Sequence, residues 1–185
     1  MSISCVSREQ STLDSIWVDA KRAFMLVADR YAVPLGLSCP TDHIHKLFHF
    51  VEAKRWAYYL RHVARFNVAK ELSAQVEGVT HSYGDSPIIG INKCYYTFGT
   101  LVHESIHFFS HYAFRQAFKV DKYEGATEYL TRSLLGDFGP RQDVHGRNDM
   151  YARELRPFLS MLDSDADRQQ LCRAYFSGES FALCL

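Results

Sequence analysis

Residues 99–114, GTLVHESIHFFSHYAF, decide how the rest of this chain is interpreted. The stretch is mostly apolar, which favours a buried helix, yet it also contains His103, Glu104 and His107. A helix turns by about 100° per residue, so the two histidines project from one face, one turn apart. We therefore predict a helix over about 97–119 whose ionisable groups serve a chemical purpose.

The spacing H-E-x-x-H in this helix is typical of a catalytic zinc site. Two imidazoles four residues apart can hold one Zn²⁺ at nitrogen–metal distances of ~2.0–2.1 Å. Glu104 is turned partly away from that position, where it can act as a general base on the water that the metal activates. His111 continues the i+4 series but has drifted around the helix, so we predict a structural or rim position for it. For His103 and His107, the alternative is a core helix in which hydrogen bonds satisfy both imidazoles.

A catalytic zinc also requires a third protein ligand, and the next predicted helix, 123–136, offers two candidates. Glu124 follows His107 closely enough for a turn and an antiparallel return of the chain. Glu128 lies four residues later on the same face. One carboxylate can bind zinc while the other accepts the free N–H of a ligating histidine. Two solvated glutamates on a surface helix are the alternative.

These residues resemble those of the gluzincin zinc metallopeptidases. The segment 103–107, HESIH, followed by YEGATEYLT, is similar to the H-E-x-x-H motif and the glutamate-bearing second helix of that group. The resemblance covers about residues 86–136. It implies that Glu124 is the third zinc ligand and that Glu128 supports a ligating histidine.

The same resemblance implies a donor for the oxyanion of the tetrahedral intermediate, placed beyond the third ligand. His145, in the polar loop segment DVHGRN, and Tyr151 are the candidates. Arg147 and Arg153 are further options. The group also pairs extended substrate with a strand edge beside the active helix, so the predicted strand at 88–92 is expected to bind a peptide backbone by β-augmentation, unless it is an ordinary strand of a small sheet.

Apolar periodicity and turn residues predict a mainly α fold with a small β-sheet, a compact zincin-like arrangement. Long helices are expected over 11–33 and 41–66, with His45 and His49 as ordinary residues of the second. A hairpin is expected within 76–97. We predict one domain over 1–185, divided into N-terminal helices over 1–66, a small sheet over 67–97, zinc-binding helices over 98–136 and closing helices over 137–185.

Composition narrows the function classes further. The 185 residues contain 21 Lys+Arg and 21 Asp+Glu, so the balanced charge gives no support for a nucleic-acid partner. We expect no membrane span and no signal peptide, because the chain has neither a long apolar run nor an apolar N-terminal region. Five scattered cysteines favour free thiols, with a Cys172–Cys184 bridge as the alternative. The chain is therefore expected to be a cytoplasmic protein, a domain of a longer chain, or cargo exported without a cleaved signal.

The sequence thus predicts a zinc-dependent metallopeptidase acting on a peptide or protein substrate. The alternatives are a zinc amidase for cell-wall or small-molecule amides, and a non-catalytic zinc-containing binding module. The chain is also similar to compact bacterial toxin metallopeptidases, some of which are C-terminal domains of type VI secretion spike proteins of the VgrG kind. That similarity implies an antibacterial effector that acts in a target cell, for example in the periplasm, and a cognate immunity protein as partner.

Overall fold

Helices form most of the chain and pack around one small sheet. The computed structural model describes residues 13–66, 73–83, 86–138, 151–162 and 164–180. Within these ranges the α-helices are α1 Leu13–Val27, α2 Ile44–Leu47, α3 Ala53–Tyr58, α4 Phe98–Phe109, α5 Tyr112–Ala117, α6 Val120–Leu135, α7 Ala152–Met161 and α8 Asp165–Ser177. The strands are β1 Phe48–Val51, β2 Gly78–Tyr83 and β3 Ser86–Asn92. The predicted class, mainly α with a small β-sheet, is confirmed.

The sheet has the strand order β1-β3-β2. β2 and β3 form the predicted hairpin and pair antiparallel, with Thr80 opposite Ile89. β1 pairs parallel with the other side of β3, where Phe48 is opposite Ile89. The prediction that 88–92 is an edge strand is therefore wrong, because β3 lies in the middle of the sheet and β2 is the edge strand of the hairpin.

The predicted helix over 41–66 is also wrong. The structure divides it into α2, β1, α3 and a π-helical segment, Tyr59–Val63. His49 accordingly lies in a strand, with its Nδ1 atom 3.3 Å from the hydroxyl of Tyr59. The segment becomes a strand because β3 supplies hydrogen-bond partners that local periodicity does not reveal.

The predicted helix over 97–119 ends earlier than expected. α4 stops at Phe109 because Ser110 has extended backbone angles (φ −64°, ψ 135°), and its hydroxyl donates to the carbonyl of His107 at 2.6 Å. His111 then caps α5, where its Nδ1 atom accepts from the backbone N–H of Ala113. This exposed capping position agrees with the structural or rim position predicted for His111.

Other predicted helices are confirmed. α1 continues as a π-helical and a 3-10 segment to Leu35 and ends at Gly36, whose φ is +69°. α6 ends at Gly136, whose φ is +66°. α7 and α8 are the two closing helices. The Ser11 cap predicted for α1 and the Cys184 thiol lie outside the described residues.

α4 is the central element of the fold. α1 packs against it, with the ring of Phe24 5.0 Å from that of Phe109. Leu101 and Ile106 on α4 are fully buried, and α6 and β2 contact it from other sides. Because α4 is enclosed, its polar side chains are buried as well, and each requires a polar partner or a ligand.

No helix within the described segments is both long and apolar enough to cross a bilayer.

Candidate metal centre

The register of α4 is fixed at its first turn. Thr97 and Thr100 form a reciprocal capping box that satisfies backbone N–H groups at the helix start. This start places His103 and His107 on the face that packs against α6. α4 and α6 run antiparallel, since His107 contacts Glu124 whereas the earlier His103 also contacts the later Glu128.

Three ligand atoms converge between these two helices. The Nε2 atoms of His103 and His107 are 3.1 Å apart. Oε2 of Glu124 lies 3.2 Å from the first and 3.3 Å from the second. A tetrahedral Zn²⁺ with bonds of ~2.0–2.1 Å separates its ligand atoms by about 3.3 Å. The donor set and its spacing therefore fit one zinc ion with one coordination position left open.

Glu124 and Glu128 occupy different environments, as the sequence predicted. The side chain of Glu124 is 28% exposed and faces the cleft, whereas that of Glu128 is 0% exposed. Oε2 of Glu128 lies 3.1 Å from Nδ1 of His103, on the side of the ring opposite Glu124. Glu124 is thus placed to bind a metal and Glu128 to orient a ligand.

Glu128 holds a proton on Nδ1 of His103. A carboxylate only accepts hydrogen bonds, so Nδ1 of His103 carries a proton, and Nε2 is the nitrogen that can bind a metal once it loses its own proton. The other oxygen of Glu128 accepts from Nε of Arg132 at 2.8 Å. This buried arginine holds the carboxylate in place.

His107 is oriented by neutral groups. Its Nδ1 atom lies 3.4 Å from both the Thr127 hydroxyl and the Tyr175 hydroxyl. Thr127 donates its own hydrogen to the carbonyl of Tyr123 at 2.9 Å, so its oxygen remains an acceptor. Tyr175 lies 2.6 Å from that same oxygen. This arrangement favours a proton on Nδ1 and leaves Nε2 of His107 for the metal.

Opposing effects set the protonation of the ligands in the protein alone. Burial lowers the pKa of His103, but the carboxylates of Glu124 and Glu128 outweigh it and raise this pKa to about 10. Burial raises the pKa of Glu124, but His107 and His103 outweigh it and hold this pKa well below its usual range. A divalent cation can therefore displace a histidine proton at this site and take its place beside the Glu124 carboxylate.

Glu104 lies beside this triad on the strand side of α4. The Thr80 hydroxyl is 2.8 Å from Oε2 and 2.9 Å from the backbone oxygen of Glu104. Gly78 allows this close approach, since a Cβ there would lie 2.6 Å from Cγ of Glu104. Burial raises the pKa of the Glu104 carboxyl.

A cleft of about 920 Å³ opens onto the triad and Glu104. One wall is the edge strand β2, from Gly78 to His81, and the opposite wall includes Tyr123 and Glu124 of α6. Tyr151 also lines the cleft, and its ring stacks on that of His103 with 5.1 Å between centroids. A substrate can therefore reach the open coordination position.

Of the two predicted oxyanion donors, Tyr151 lies at the cleft, beside His103. His145 and Arg147 lie outside the described residues. Arg153, on the first turn of α7, is exposed.

Sequence reasoning missed the groups that hold the site in place. Thr127 and Arg132 lie on the ligand-bearing helix, three residues after Glu124 and four after Glu128, so their helical spacing was an available signal. Thr80 and Tyr175 come from distant segments and carry no local signal.

Comparison of the chain with protein-family models, curated proteins and solved structures finds no match. Function must therefore be inferred from the geometry and chemistry of the site itself.

Proposed function

We propose that this protein is a zinc-dependent metallopeptidase. One observation carries the proposal: the ligand atoms of His103, His107 and Glu124 lie 3.1–3.3 Å apart, with Glu104 adjacent but not a member of that group. A purely structural zinc site normally has four protein ligands. A triad with an open position and a neighbouring base supports hydrolysis.

The residues of the chain have separate tasks in this reaction. When bound, zinc polarises the scissile carbonyl and lowers the pKa of water to ~7. Glu104 takes the proton of the attacking water and delivers it to the leaving amine. Thr80 donates to the Glu104 carboxylate and orients it. Tyr151, stacked on His103, is our candidate for the oxyanion donor.

The edge strand supports a peptide as the substrate. Among the described residues, β3 is the only strand that pairs with β2, and the residues from Gly78 to His81 on β2 line the cleft. An extended peptide can add to such an edge through backbone hydrogen bonds. A small-molecule amide would not use that edge, so the edge favours a peptide over a small-molecule amide as the substrate. The toxin role, export and the immunity partner stay predictions.

Metal analysis combined with a peptidase assay tests the proposal. We expect about one zinc per chain, cleavage of an unfolded protein such as casein, loss of cleavage after chelation, and its return with added zinc. Peptidoglycan is assayed in parallel, because cleavage of peptidoglycan alone would favour the amidase. A folded, zinc-loaded protein that cleaves neither substrate would contradict the proposal.

A further inference from the structure

Two guanidinium groups line the cleft, and they differ in their partners. Arg132 donates from Nε to Glu128 at 2.8 Å, so it belongs to the support of the metal centre. Arg115, on α5, lines the same cleft as His107, Tyr123 and Glu124. The two arginines lie toward opposite ends of α4, because α6 runs antiparallel to α4 and α5 follows the end of α4.

Arg115 has an unmet requirement for a hydrogen-bond acceptor. Its Nε atom is buried and has no hydrogen-bond partner among the residues that the structure describes. Its guanidinium likewise forms no ion pair within that part of the chain. A buried donor without an acceptor is costly, and a charged one more so. The fork of a guanidinium matches a carboxylate, which accepts two parallel N–H bonds.

The acidic groups of the metal centre are already committed elsewhere. Glu124 contacts both ligand histidines, Glu128 is held by Arg132, and Glu104 accepts from Thr80. Within the described residues, the metal centre therefore leaves no carboxylate to pair with Arg115. Because Arg115 lies in the same cleft as the triad, a peptide bound for hydrolysis can place a carboxylate beside the guanidinium.

We propose that Arg115 recognises a carboxylate of the peptide substrate. This inference rests on the proposed peptidase function and adds a substrate class to it: peptides with a negative charge a short distance from the scissile bond. The carboxylate has two sources, the C-terminus of the peptide or the side chain of an aspartate or glutamate. A C-terminal carboxylate would make the enzyme a carboxypeptidase, and a side chain would make it an endopeptidase with acidic preference.

Matched peptides and an Arg115→Gln variant test this recognition. One core peptide that the parent cleaves is made with a free or amidated C-terminus, and with glutamate or glutamine beside the scissile bond. For the version that carries the recognised carboxylate, Arg115→Gln should lower kcat/KM by about 10–100-fold, as expected for loss of a charge-assisted pair. The neutral version should change little. Arg115→Lys should recover part of the loss, since it keeps the charge but not the fork.

Lys119→Gln is the matched control. Lys119 is an exposed cation that precedes α6 and does not line the cleft. It should leave the preference unchanged, which separates specific recognition from general attraction of anions. Zinc content and thermal unfolding are measured for every variant, so that a loss through misfolding is recognised.

A binding measurement separates failure of this inference from failure of the proposed function. Fluorescence anisotropy of the same labelled peptides is recorded with zinc-loaded protein carrying Glu104→Gln, which does not require turnover. Carboxylate-dependent binding that Arg115→Gln abolishes, without cleavage by the parent, would support recognition and contradict the peptidase. Cleavage by the parent with equal kcat/KM for charged and neutral peptides, unaffected by Arg115→Gln, would overturn recognition and leave the peptidase standing.

Discussion

Glu104 and Glu128 are both buried carboxylates, and their neighbours differ. Glu128 accepts a hydrogen bond from Nε of Arg132 at 2.8 Å. Within the described residues, the Glu104 carboxylate accepts from the neutral hydroxyl of Thr80, and burial raises its pKa. In the proposed reaction Glu104 is the group that exchanges a proton, whereas Glu128 orients His103.

The first prediction is that Glu104→Gln retains zinc and loses activity. Glutamine has nearly the same shape and can still accept from Thr80, but it cannot take a proton from water. Removal of a general base lowers the rate by ~10²–10⁴. Zinc stoichiometry and turnover of a cleaved peptide are measured on the same preparation. Glu52→Gln makes the same change at an exposed glutamate, and it is purified and assayed in parallel as the control. Full zinc with unchanged turnover would rule out Glu104 as the base.

The second prediction is that Glu128→Gln weakens metal binding without abolishing it. The substitution leaves Arg132 buried without its counter-charge and removes the anion that orients His103. Loss of such a support typically lowers metal affinity by ~10–100-fold. Competition with a chromogenic chelator measures the change. Glu124→Ala, in comparison, should remove zinc almost completely. If Glu124→Ala keeps zinc and Glu128→Ala loses it, the two roles are exchanged.

At the scale of residues, the sequence predicted the group that comes together and one of its supports, Glu128, but not the other supports. His103, His107, Glu124 and Glu128 follow from helical spacing and from the resemblance. Tyr175 is 68 residues from His107 and belongs to a helix whose apolar pattern reflects only core packing. Its role depends on the tertiary contact of α8, which no local pattern encodes.

At the scale of elements, the packing of α7 against α6 depends on a glycine. A Cβ on Gly125 would lie 2.2 Å from the backbone oxygen of Glu154 and 2.8 Å from the ring of Phe158. The absence of a side chain therefore allows α7 to lie close to α6. Since Tyr151 immediately precedes α7 and stacks on His103, this helix contact also positions a wall of the cleft.

The third prediction is that Gly125→Ala destabilises the protein and disturbs the site together. Backbone atoms cannot rotate away from the new methyl group, so α7 must shift. We expect a loss of about 1–3 kcal/mol, typical of overpacking, together with lower peptidase activity. Urea unfolding and kcat/KM measure the two effects. A stable variant with full activity would show that the close approach is not required.

Gly136→Ala is the matched control for that substitution. This glycine has open space around its Cβ position but a φ of +66°. Alanine there costs about 1–2 kcal/mol from backbone strain, without steric contact. Stability should fall while zinc affinity and kcat/KM stay unchanged, because the strain is confined to the end of α6.

Two errors in the predicted elements share a physical cause. The helix over 41–66 failed because β1 forms only when β3 is beside it, and that pairing joins Phe48 to Ile89. The edge assignment of 88–92 failed for the same reason, since the unforeseen β1 covers the free side of β3. Strand pairing is decided by non-local partners, whereas the hairpin and the closing helices are set by neighbouring residues.

At the scale of the whole molecule, the metal centre joins separate parts of the fold. Its ligands come from α4 and α6, Glu104 is tied to β2 by Thr80, and Tyr175 on α8 reaches His107. Within the described residues, hydrogen bonds and ion pairs between α4 and α6 connect the ligand groups. Zinc should therefore stabilise the entire domain and not only the local site.

The fourth prediction is that removing zinc lowers the melting temperature. A ligand at about a thousandfold above its Kd stabilises the folded state by about 4 kcal/mol. For a domain of this size that corresponds to a decrease of about 8–16 °C. Calorimetry before chelation, after chelation and after zinc is restored measures it, with His111→Ala as a control outside the triad. An unchanged melting temperature in the chelated protein would contradict a metal linked to folding.

The contact between His107 and Tyr175 also has a consequence in time. A ribosome adds about 5–20 residues per second, so the 68 residues that separate them take about 3–14 s to make. During that interval the nascent chain contains its H-E-x-x-H helix without the hydroxyl that orients the second histidine. The proposed metal centre therefore acquires its full set of supporting contacts only after α8 has been synthesised and docked.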